Sequence, residues 1–220
     1  MTDGVSGRLV VVAGATSASG EAAVRALLAA GARVVAVGHD RYKLEPLAVY
    51  GAEVEVCDLT DEAAVADLAG RVHDRWGAVD GVLHLVGGWR GGGGLAGQTE
   101  ADFRFLERSL SALRHVSRAF DADLNVSSAA RTAMVSSTAL TRPLAGGANY
   151  AAVKAAGEAW MRAVAHGFAK TARDAGDPLQ AAAVIFRVTE LAGREDALAA
   201  AFVGLWTQDA AELNDRTIEL

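Results

Sequence analysis

Three residues near the middle of the chain have the types and spacing of a proton-transfer site. Ser137, Tyr150 and Lys154 follow the pattern S-x12-Y-x3-K. Because Tyr150 and Lys154 are four residues apart, a helix would place both on one face. A lysine ammonium beside a phenol favours the phenolate, so we expect Lys154 to lower the pKa of Tyr150. The phenol is then suited to general acid–base catalysis, and the Ser137 hydroxyl can donate a hydrogen bond to a substrate oxygen.

The tyrosine–lysine spacing on its own also fits a half-buried tyrosine beside a solvated lysine. The start of the chain supports the chemical interpretation. Residues 9–13 are an apolar, β-branched run typical of a strand buried on both faces. Small residues at 14–20, a helix that ends at Gly31 and a second apolar run at 33–38 complete a strand–helix–strand unit. The start of such a helix offers free N–H groups to a pyrophosphate, although a tight turn without a ligand has the same pattern.

On these motifs the chain resembles the short-chain dehydrogenase/reductases along nearly its whole length. The family's TGxxxGxG opening reads AGATSASG at 13–20, and both outer glycines are kept. The resemblance implies that the protein is an enzyme that transfers hydride between NAD(P) and a carbonyl, alcohol or C=N substrate. It implies that Ser137, Tyr150 and Lys154 are catalytic and that Asp58 contacts the adenine ring. The residues that it implies bind the cofactor are Gly14, Thr16, Ser17, Ala18, Ser19, Gly20, His39, Asp40, Asp58, Leu59, Val86, Gly87, Tyr150 and Lys154.

The sequence departs from the family pattern close to the expected site. The family's NNAG motif reads HLVG at 84–87, and its catalytic asparagine aligns with Ser109. That asparagine anchors a water in a proton relay to the lysine, and serine is shorter. A second hypothesis is therefore a non-catalytic dinucleotide-binding protein, such as a redox sensor or an assembly partner. The glycine-rich run at 87–92 and the Val188–Thr189 pair resemble the dihydropteridine reductase branch. That branch normally lacks the serine of the Ser-Tyr-Lys set, so Ser137 argues against close membership.

The choice between NAD and NADP is expected at the end of the second strand. An acidic residue there would bind the ribose hydroxyls of NAD, and an arginine would bind the phosphate of NADP. The chain has glycine at this tip, followed by His39, Asp40 and Arg41. Asp40 can reach a ribose, whereas His39, Arg41 or Lys43 can meet a phosphate. The sequence favours NADP(H) slightly and leaves NAD(H) open.

The remaining pattern predicts the elements that hold these residues. Strand-like runs fall near 8–13, 33–38, 52–57, 79–86, 131–137, 180–188 and 216–219. Helix-like runs fall near 20–30, 41–49, 61–75, 100–120, 149–173 and 195–207. This alternation predicts one Rossmann-type, doubly wound α/β domain over residues 1–220. Its parallel sheet would have about seven strands, with helices on both faces.

Two segments bear on access to the site. The glycine-rich run at 87–95 follows a strand at the ligand-binding edge of the sheet. It is either a floppy surface loop or a hinge that closes Trp89 over the substrate. We therefore expect Trp89 and Ser137 to contact the substrate. Only residues 189–194 separate the sixth strand from the next helix, which is too short for a helical lid, so the pocket is predicted to be open.

Two helix stripes predict a homodimer or a homotetramer. In the family, the two corresponding helices pair with their copies around a two-fold axis. Small residues allow such close packing, although both stripes also fit a helix that only faces its own sheet. The first stripe is Ala152, Ala155, Ala156, Ala159 and Ala163. The second is Phe103, Phe105, Leu106, Leu110, Leu113 and Val116.

Composition and charge argue against several other classes of partner. The chain has 220 residues, 51% of them hydrophobic, and a formal net charge of -6 without a basic block, so a nucleic-acid partner is not expected. The single cysteine, Cys57, cannot form an internal disulfide and is expected in the core. The five histidines show no metal-ligand spacing. With no leader and no long apolar run, we predict a cytoplasmic protein that acts on a small molecule, without a metal or a membrane.

Overall fold

Short β-branched segments form a single parallel sheet. The computed structural model describes residues 4–220. Its strands are β1 (Leu9–Ala13), β2 (Arg33–Gly38), β3 (Glu53–Val56), β4 (Gly81–His84), β5 (Arg131–Ser137), β6 (Ala182–Val188) and β7 (Thr217–Glu219). Their order is β3-β2-β1-β4-β5-β6-β7, and neighbouring strands are parallel. The order reverses between β1 and β4, so a crevice opens at their carboxyl ends.

The helices follow the strands in alternation. They are α1 (Ala18–Ala29), α2 (Arg41–Val49), α3 (Glu62–Trp76), α4 (Glu100–Ala119), α5 (Asp121–Val126), α6 (Ala148–Ala175), α7 (Glu195–Gly204) and α8 (Ala210–Leu213). Side chains that accept first-turn N–H groups start five of them, namely Ser17, Asp40, Asp61, Thr99 and Asp209. No helix within residues 4–220 has both the length and the apolar character needed to cross a membrane.

Two apolar layers cover the sheet, one on each face. Along β1, Val10 and Val12 pack with α1, α2 and α7, whereas Leu9, Val11 and Ala13 pack with α3, α4 and α6. Because side chains alternate along a strand, the all-apolar run of β1 supplies both layers. The predicted doubly wound α/β architecture is therefore confirmed.

Candidate active site

The crevice contains two adjoining cavities. The first cavity has a volume of about 460 Å³ and the second about 500 Å³. Lining the first are Gly14, Thr16, Ser17, Gly38, His39, Cys57, Asp58, Leu59, Thr60, Leu85, Val86, Gly87, Gly88, Phe105, Arg108 and Ser109. Lining the second are Ser17, Ala18, Ser19, His84, Leu85, Val86, Gly87, Gly88, Trp89, Val135, Ser136, Tyr150, Lys154, Val188, Thr189, Glu190, Leu191, Ala192 and Glu195. They share Ser17 and residues 85–88, so together they form one elongated groove.

The turn after β1 requires glycine at its first position. Gly14 has φ +86°, and a Cβ added there would lie 2.9 Å from the carbonyl carbon of Leu85. Gly20 lies behind the groove, where an added Cβ would be 2.5 Å from the carbonyl oxygen of Ala15. Gly14 therefore keeps the β1 and β4 turns close together, whereas Gly20 allows α1 to pack against its own turn.

The beginning of α1 points into this groove. Ser17 caps the helix, because its Oγ accepts a hydrogen bond from the Gly20 N–H at 3.1 Å and donates one to the Gly14 carbonyl at 3.1 Å. Ala18 and Ser19 line the second cavity. First-turn N–H groups lack acceptors inside the helix and lie at the positive end of its dipole. This part of the groove is therefore suited to an anion such as a pyrophosphate.

Asp58 lies in the wall of the first cavity as an anionic acceptor. Its Oδ1 accepts hydrogen bonds from the Thr60 hydroxyl at 2.7 Å and the Thr60 N–H at 2.9 Å. The Arg108 Nη2 atom is 3.6 Å from its Oδ2 atom. The hydrogen bonds from Thr60, followed by the charges of Arg108 and His39, hold the pKa of Asp58 below its usual value. Cys57 beside it is buried as expected, and burial raises the pKa of its thiol to about 11.

Asp40 is placed outside both cavities. Its Oδ1 accepts hydrogen bonds from the N–H groups of Tyr42 at 3.0 Å and Lys43 at 3.4 Å, and so caps α2. His39 lines the first cavity, whereas Arg41 and Lys43 do not. Of the side chains considered for the choice between NAD and NADP, only His39 reaches the groove.

The Ser-Tyr-Lys set converges beside the second cavity. Ser137 ends β5, whereas Tyr150 and Lys154 lie in the first turns of α6. The Lys154 Nζ atom lies 5.8 Å from the centroid of the Tyr150 ring and donates a hydrogen bond to the Val135 carbonyl at 2.8 Å. Ser137 is buried, and its Oγ accepts a hydrogen bond from the Ala139 N–H at 3.1 Å. The predicted spacing therefore brings the three side chains to one place.

The expected effect of the lysine on the tyrosine is wrong in this structure. Burial raises the pKa of Tyr150, and hydrogen bonding by Ser137 opposes that rise. Burial also lowers the pKa of Lys154 to about 8, with the Glu158 carboxylate opposing. The Lys154 ammonium itself donates to the Val135 carbonyl. The phenol is therefore protonated at neutral pH, as a proton donor must be.

A buried ion pair near Lys154 was not predicted from the sequence. Glu158 follows Lys154 by one helical turn and is 6% exposed. Arg187 on β6 donates to both of its oxygens, at 2.8 Å to Oε1 and 2.6 Å to Oε2. The bidentate geometry fixes a carboxylate near the ammonium. The i to i+4 spacing from Lys154 was a usable signal, but the partner on β6 required the fold.

The glycine-rich loop is tied to the start of α6. Gln98 Nε2 donates to the carbonyls of Gly146 at 2.9 Å and Gly92 at 3.1 Å. Its Oε1 accepts from the Asn149 N–H at 3.1 Å, and the Gly92 N–H donates to the Gly146 carbonyl at 2.8 Å. These hydrogen bonds fix the position of the glycine-rich loop, which argues against the alternative of a flexible surface loop.

The substrate side of the second cavity has little cover. Trp89 lines it but is 61% exposed. Residues 189–194 connect β6 to α7 without a helix, and Leu191 and Ala192 of this segment also line the cavity. The prediction that a helical lid is missing here is therefore confirmed. Within residues 4–220, no three His, Cys, Asp or Glu side chains form a group that could hold a metal ion.

Comparison with known proteins gives a consistent picture of similarity. A family model described as short chain dehydrogenase matches residues 8–172. Over 95 residues the chain is 30% identical to 2,3-dihydro-2,3-dihydroxybenzoate dehydrogenase of Bacillus subtilis (strain 168). That match covers 40% of this chain and only 36% of the relative.

Solved structures resemble the whole chain. A metagenomic short-chain oxidoreductase in complex with NADP has a TM-score of 0.82 and 26% identity, over 98% of this chain and 97% of the other. An NADPH-bound short-chain oxidoreductase from Pseudomonas aeruginosa PAO1, described as containing an atypical catalytic center, has a TM-score of 0.82 and 20% identity, over 97% and 95%. A putative short chain dehydrogenase from Shigella flexneri 2A str. 301, complexed with NADP, has a TM-score of 0.85 and 19% identity, over 100% and 99%. The last two support the fold alone.

Proposed function

This chain belongs to the short-chain dehydrogenase/reductase family, and we propose that it is an NADP-dependent reductase of a carbonyl or C=N group. The observation that carries the proposal is the convergence of Ser137, Tyr150 and Lys154 at the wall of the groove. The protonated phenol of Tyr150, next to Ser137, supplies the proton that the reductive direction requires.

The residues of the groove fit a nicotinamide dinucleotide. The adenosine would lie in the first cavity against Asp58 and Leu59, and the pyrophosphate at the start of α1. Tyr150 and Lys154 would hold the nicotinamide ribose in the second cavity. The close approach of the Gly14 backbone to the Leu85 backbone keeps the β1 and β4 turns together at the base of this groove. When bound, the nicotinamide ring supplies the hydride.

The end of β2 supports NADP over NAD. Gly38 presents no carboxylate to the ribose, and a Cβ added there would lie 2.8 Å from Thr16 Cγ2. Asp40 is engaged as a helix cap. His39 and Arg108 line the first cavity, and both can donate hydrogen bonds to a phosphate. The NADP complex of the metagenomic relative supports the same choice.

The proton step follows from the hydrogen bonds of the site. The Ser137 Oγ accepts from the Ala139 N–H at 3.1 Å, and its own hydrogen, which bonds to Tyr150 in this structure, would turn to the substrate oxygen when substrate binds. In reduction, Tyr150 would donate its phenolic proton to that oxygen, or to the nitrogen of a C=N substrate. One of the three Lys154 N–H groups donates to the Val135 carbonyl, which leaves two that can donate to the ribose and its surroundings.

Two measurements on the purified protein test the proposal. Quenching of tryptophan fluorescence on addition of NADPH or NADH measures binding, and we expect tighter binding of NADPH. A turnover screen over ketones, quinones and pterins then measures reduction. Binding without turnover of any class would favour the non-catalytic alternative, and failure to bind either nucleotide would contradict the proposal outright.

Substrate capture should depend on Trp89. Trp89→Ala is expected to raise the KM of the carbonyl substrate several-fold and to change NADPH affinity less, because Trp89 lines only the second cavity. Steady-state kinetics and NADPH titration measure the two effects. The control is Leu95→Ala in the same loop, which is 70% exposed and lines neither cavity. Equal losses in KM and in NADPH affinity would contradict this role for Trp89.

We also propose that the protein is a homodimer or a homotetramer. The five alanines of the α6 stripe, from Ala152 to Ala163, are exposed. On α4, Leu106, Leu113 and Val116 face the protein's own core instead. The outward stripe of small side chains supports close packing of α6 against a second copy.

Light scattering measures the assembly directly. We expect at least the dimer mass at micromolar concentration, and a shift toward the monomer in Ala159→Arg, because a long charged side chain blocks close helix packing. Val126→Arg is the control, since Val126 is 79% exposed and lies outside both stripes. A monomer mass for the wild-type protein would contradict the proposal.

A further inference from the structure

A buried histidine lies beside Lys154 and has no part in the steps described above. His84 ends β4 and is 4% exposed. Its Nε2 atom lies 3.3 Å from the carbonyl oxygen of Ser109. Because a carbonyl only accepts, Nε2 carries the hydrogen and Nδ1 carries the lone pair. Within the described part of the chain, this buried Nδ1 has no hydrogen-bond partner, which is rare for a buried polar atom.

A small cavity adjoins both side chains. Its volume is about 10 Å³, and its walls include His84, Ser109, Val135 and Lys154 among apolar side chains. This is near the smallest space that holds one water molecule, which also needs at least two polar partners. His84 and Lys154 supply an acceptor and a donor of hydrogen bonds.

The charges around Lys154 decide what His84 can do. Glu158 on α6 faces the ammonium and is itself paired with Arg187 on β6, while Tyr150 lies one turn away. Burial, followed by the charge of Lys154, lowers the pKa of His84 to about 3. The imidazole is therefore neutral at working pH and serves as a hydrogen-bond acceptor, not as a proton store.

We propose that one water molecule in this cavity accepts a hydrogen bond from Lys154 Nζ and donates one to His84 Nδ1. His84 is then a positioning residue that favours the ammonium form of Lys154 and holds it toward Tyr150. The Lys154 N–H groups are thereby divided among the Val135 carbonyl, the water and the cofactor ribose.

Ser109 does not provide this contact. Its Oγ donates a hydrogen bond to the Leu106 carbonyl of its own helix at 2.8 Å, while its backbone carbonyl faces His84. Ser109 on α4 thus contributes its backbone carbonyl, which orients the imidazole, and His84 on β4 contributes Nδ1 as the acceptor for the water. The inference rests on the proposed function only for the role of Lys154 toward cofactor and Tyr150.

Titration of Lys154 by NMR on protein with labelled lysine tests the inference without turnover. The sequence contains three lysines, and the other two, Lys43 and Lys170, are exposed whereas Lys154 is half-buried, so the Lys154 resonance is readily assigned. His84→Leu is expected to lower the pKa of Lys154 by roughly one pH unit. The substitution removes the Nδ1 acceptor that, through the water, stabilises the Lys154 ammonium. His84→Gln keeps an acceptor and should restore much of the pKa.

Activity supplies a second readout. In His84→Leu the alkaline limb of the kcat profile should move to lower pH by the same amount, and His84→Gln should return it. A folded His84→Leu protein with the wild-type Lys154 pKa would overturn the inference. If His84→Leu does not fold, a high-resolution crystal structure of the wild-type protein decides, because density without a water between His84 and Lys154 overturns it equally. Absence of turnover would count against the proposed function and leave the titration interpretable.

Discussion

Tyr150→Phe is expected to reduce turnover by roughly 10²–10⁴-fold, the usual worth of a positioned acid or base, while NADPH affinity changes little. The substitution removes the phenolic proton and keeps the ring, which is half-buried beside Ser137. Lys154 retains its hydrogen bond to the Val135 carbonyl, so the floor of the site stays in place.

The measurement separates chemistry from binding. Turnover is followed by nicotinamide absorbance, and NADPH affinity by tryptophan fluorescence on the same preparation. Tyr42→Phe serves as the control, because Tyr42 is 82% exposed and lines neither cavity. Full activity of Tyr150→Phe on a verified substrate would show that another group supplies the proton.

Gly14→Val is expected to weaken NADPH binding by roughly 100-fold or more, equivalent to about 2.7 kcal/mol. Gly14 has φ +86°, and an added Cβ would lie 2.9 Å from the carbonyl carbon of Leu85. Valine therefore strains the backbone and also forces the β1 and β4 turns apart, which widens the cradle for the pyrophosphate.

Gly51→Val is a matched control for the strain. Gly51 has φ +101° and nothing within 4 Å of an added Cβ, so valine there strains the backbone without moving the groove. Circular dichroism and thermal unfolding report the fold of both variants, and fluorescence titration reports binding. Wild-type NADPH affinity in a folded Gly14→Val protein would contradict the placement of the pyrophosphate at this turn.

Much of the fold was predictable because its signals are local. Strands such as β1 and β6 are continuous apolar runs, which parallel strands buried on both faces require. Helices α5 and α8 were not predicted, because six and four residues are too few to show a helical period. Residues 205–207 form a 3₁₀ turn after α7 instead of extending it.

The site was predictable where spacing alone decides it. Tyr150 and Lys154 share a helix face because they are one turn apart. The direction of the Tyr150 pKa was not predictable, since it depends on how deeply the folded chain buries the phenol. Asp40 did carry a local signal, because an aspartate directly before a helix is a common cap.

Contacts between distant elements account for what the sequence analysis missed. Arg108 reaches Asp58 from α4, and Arg187 reaches Glu158 from β6. Gln98 connects the glycine-rich loop to the start of α6. None of these pairs follows a periodic pattern, so only the assembled sheet and helices reveal them.

Hydride transfer itself is the most direct test of the central claim. The protein is incubated with NADPH deuterated at the transferring position and with ketones, quinones and pterins, and the products are analysed by mass spectrometry. We expect deuterium on the reduced carbon of at least one class, at a rate that Tyr150→Phe lowers by roughly 10²–10⁴-fold. Tight NADPH binding with no deuterated product from any class would contradict the assignment of this protein as a reductase.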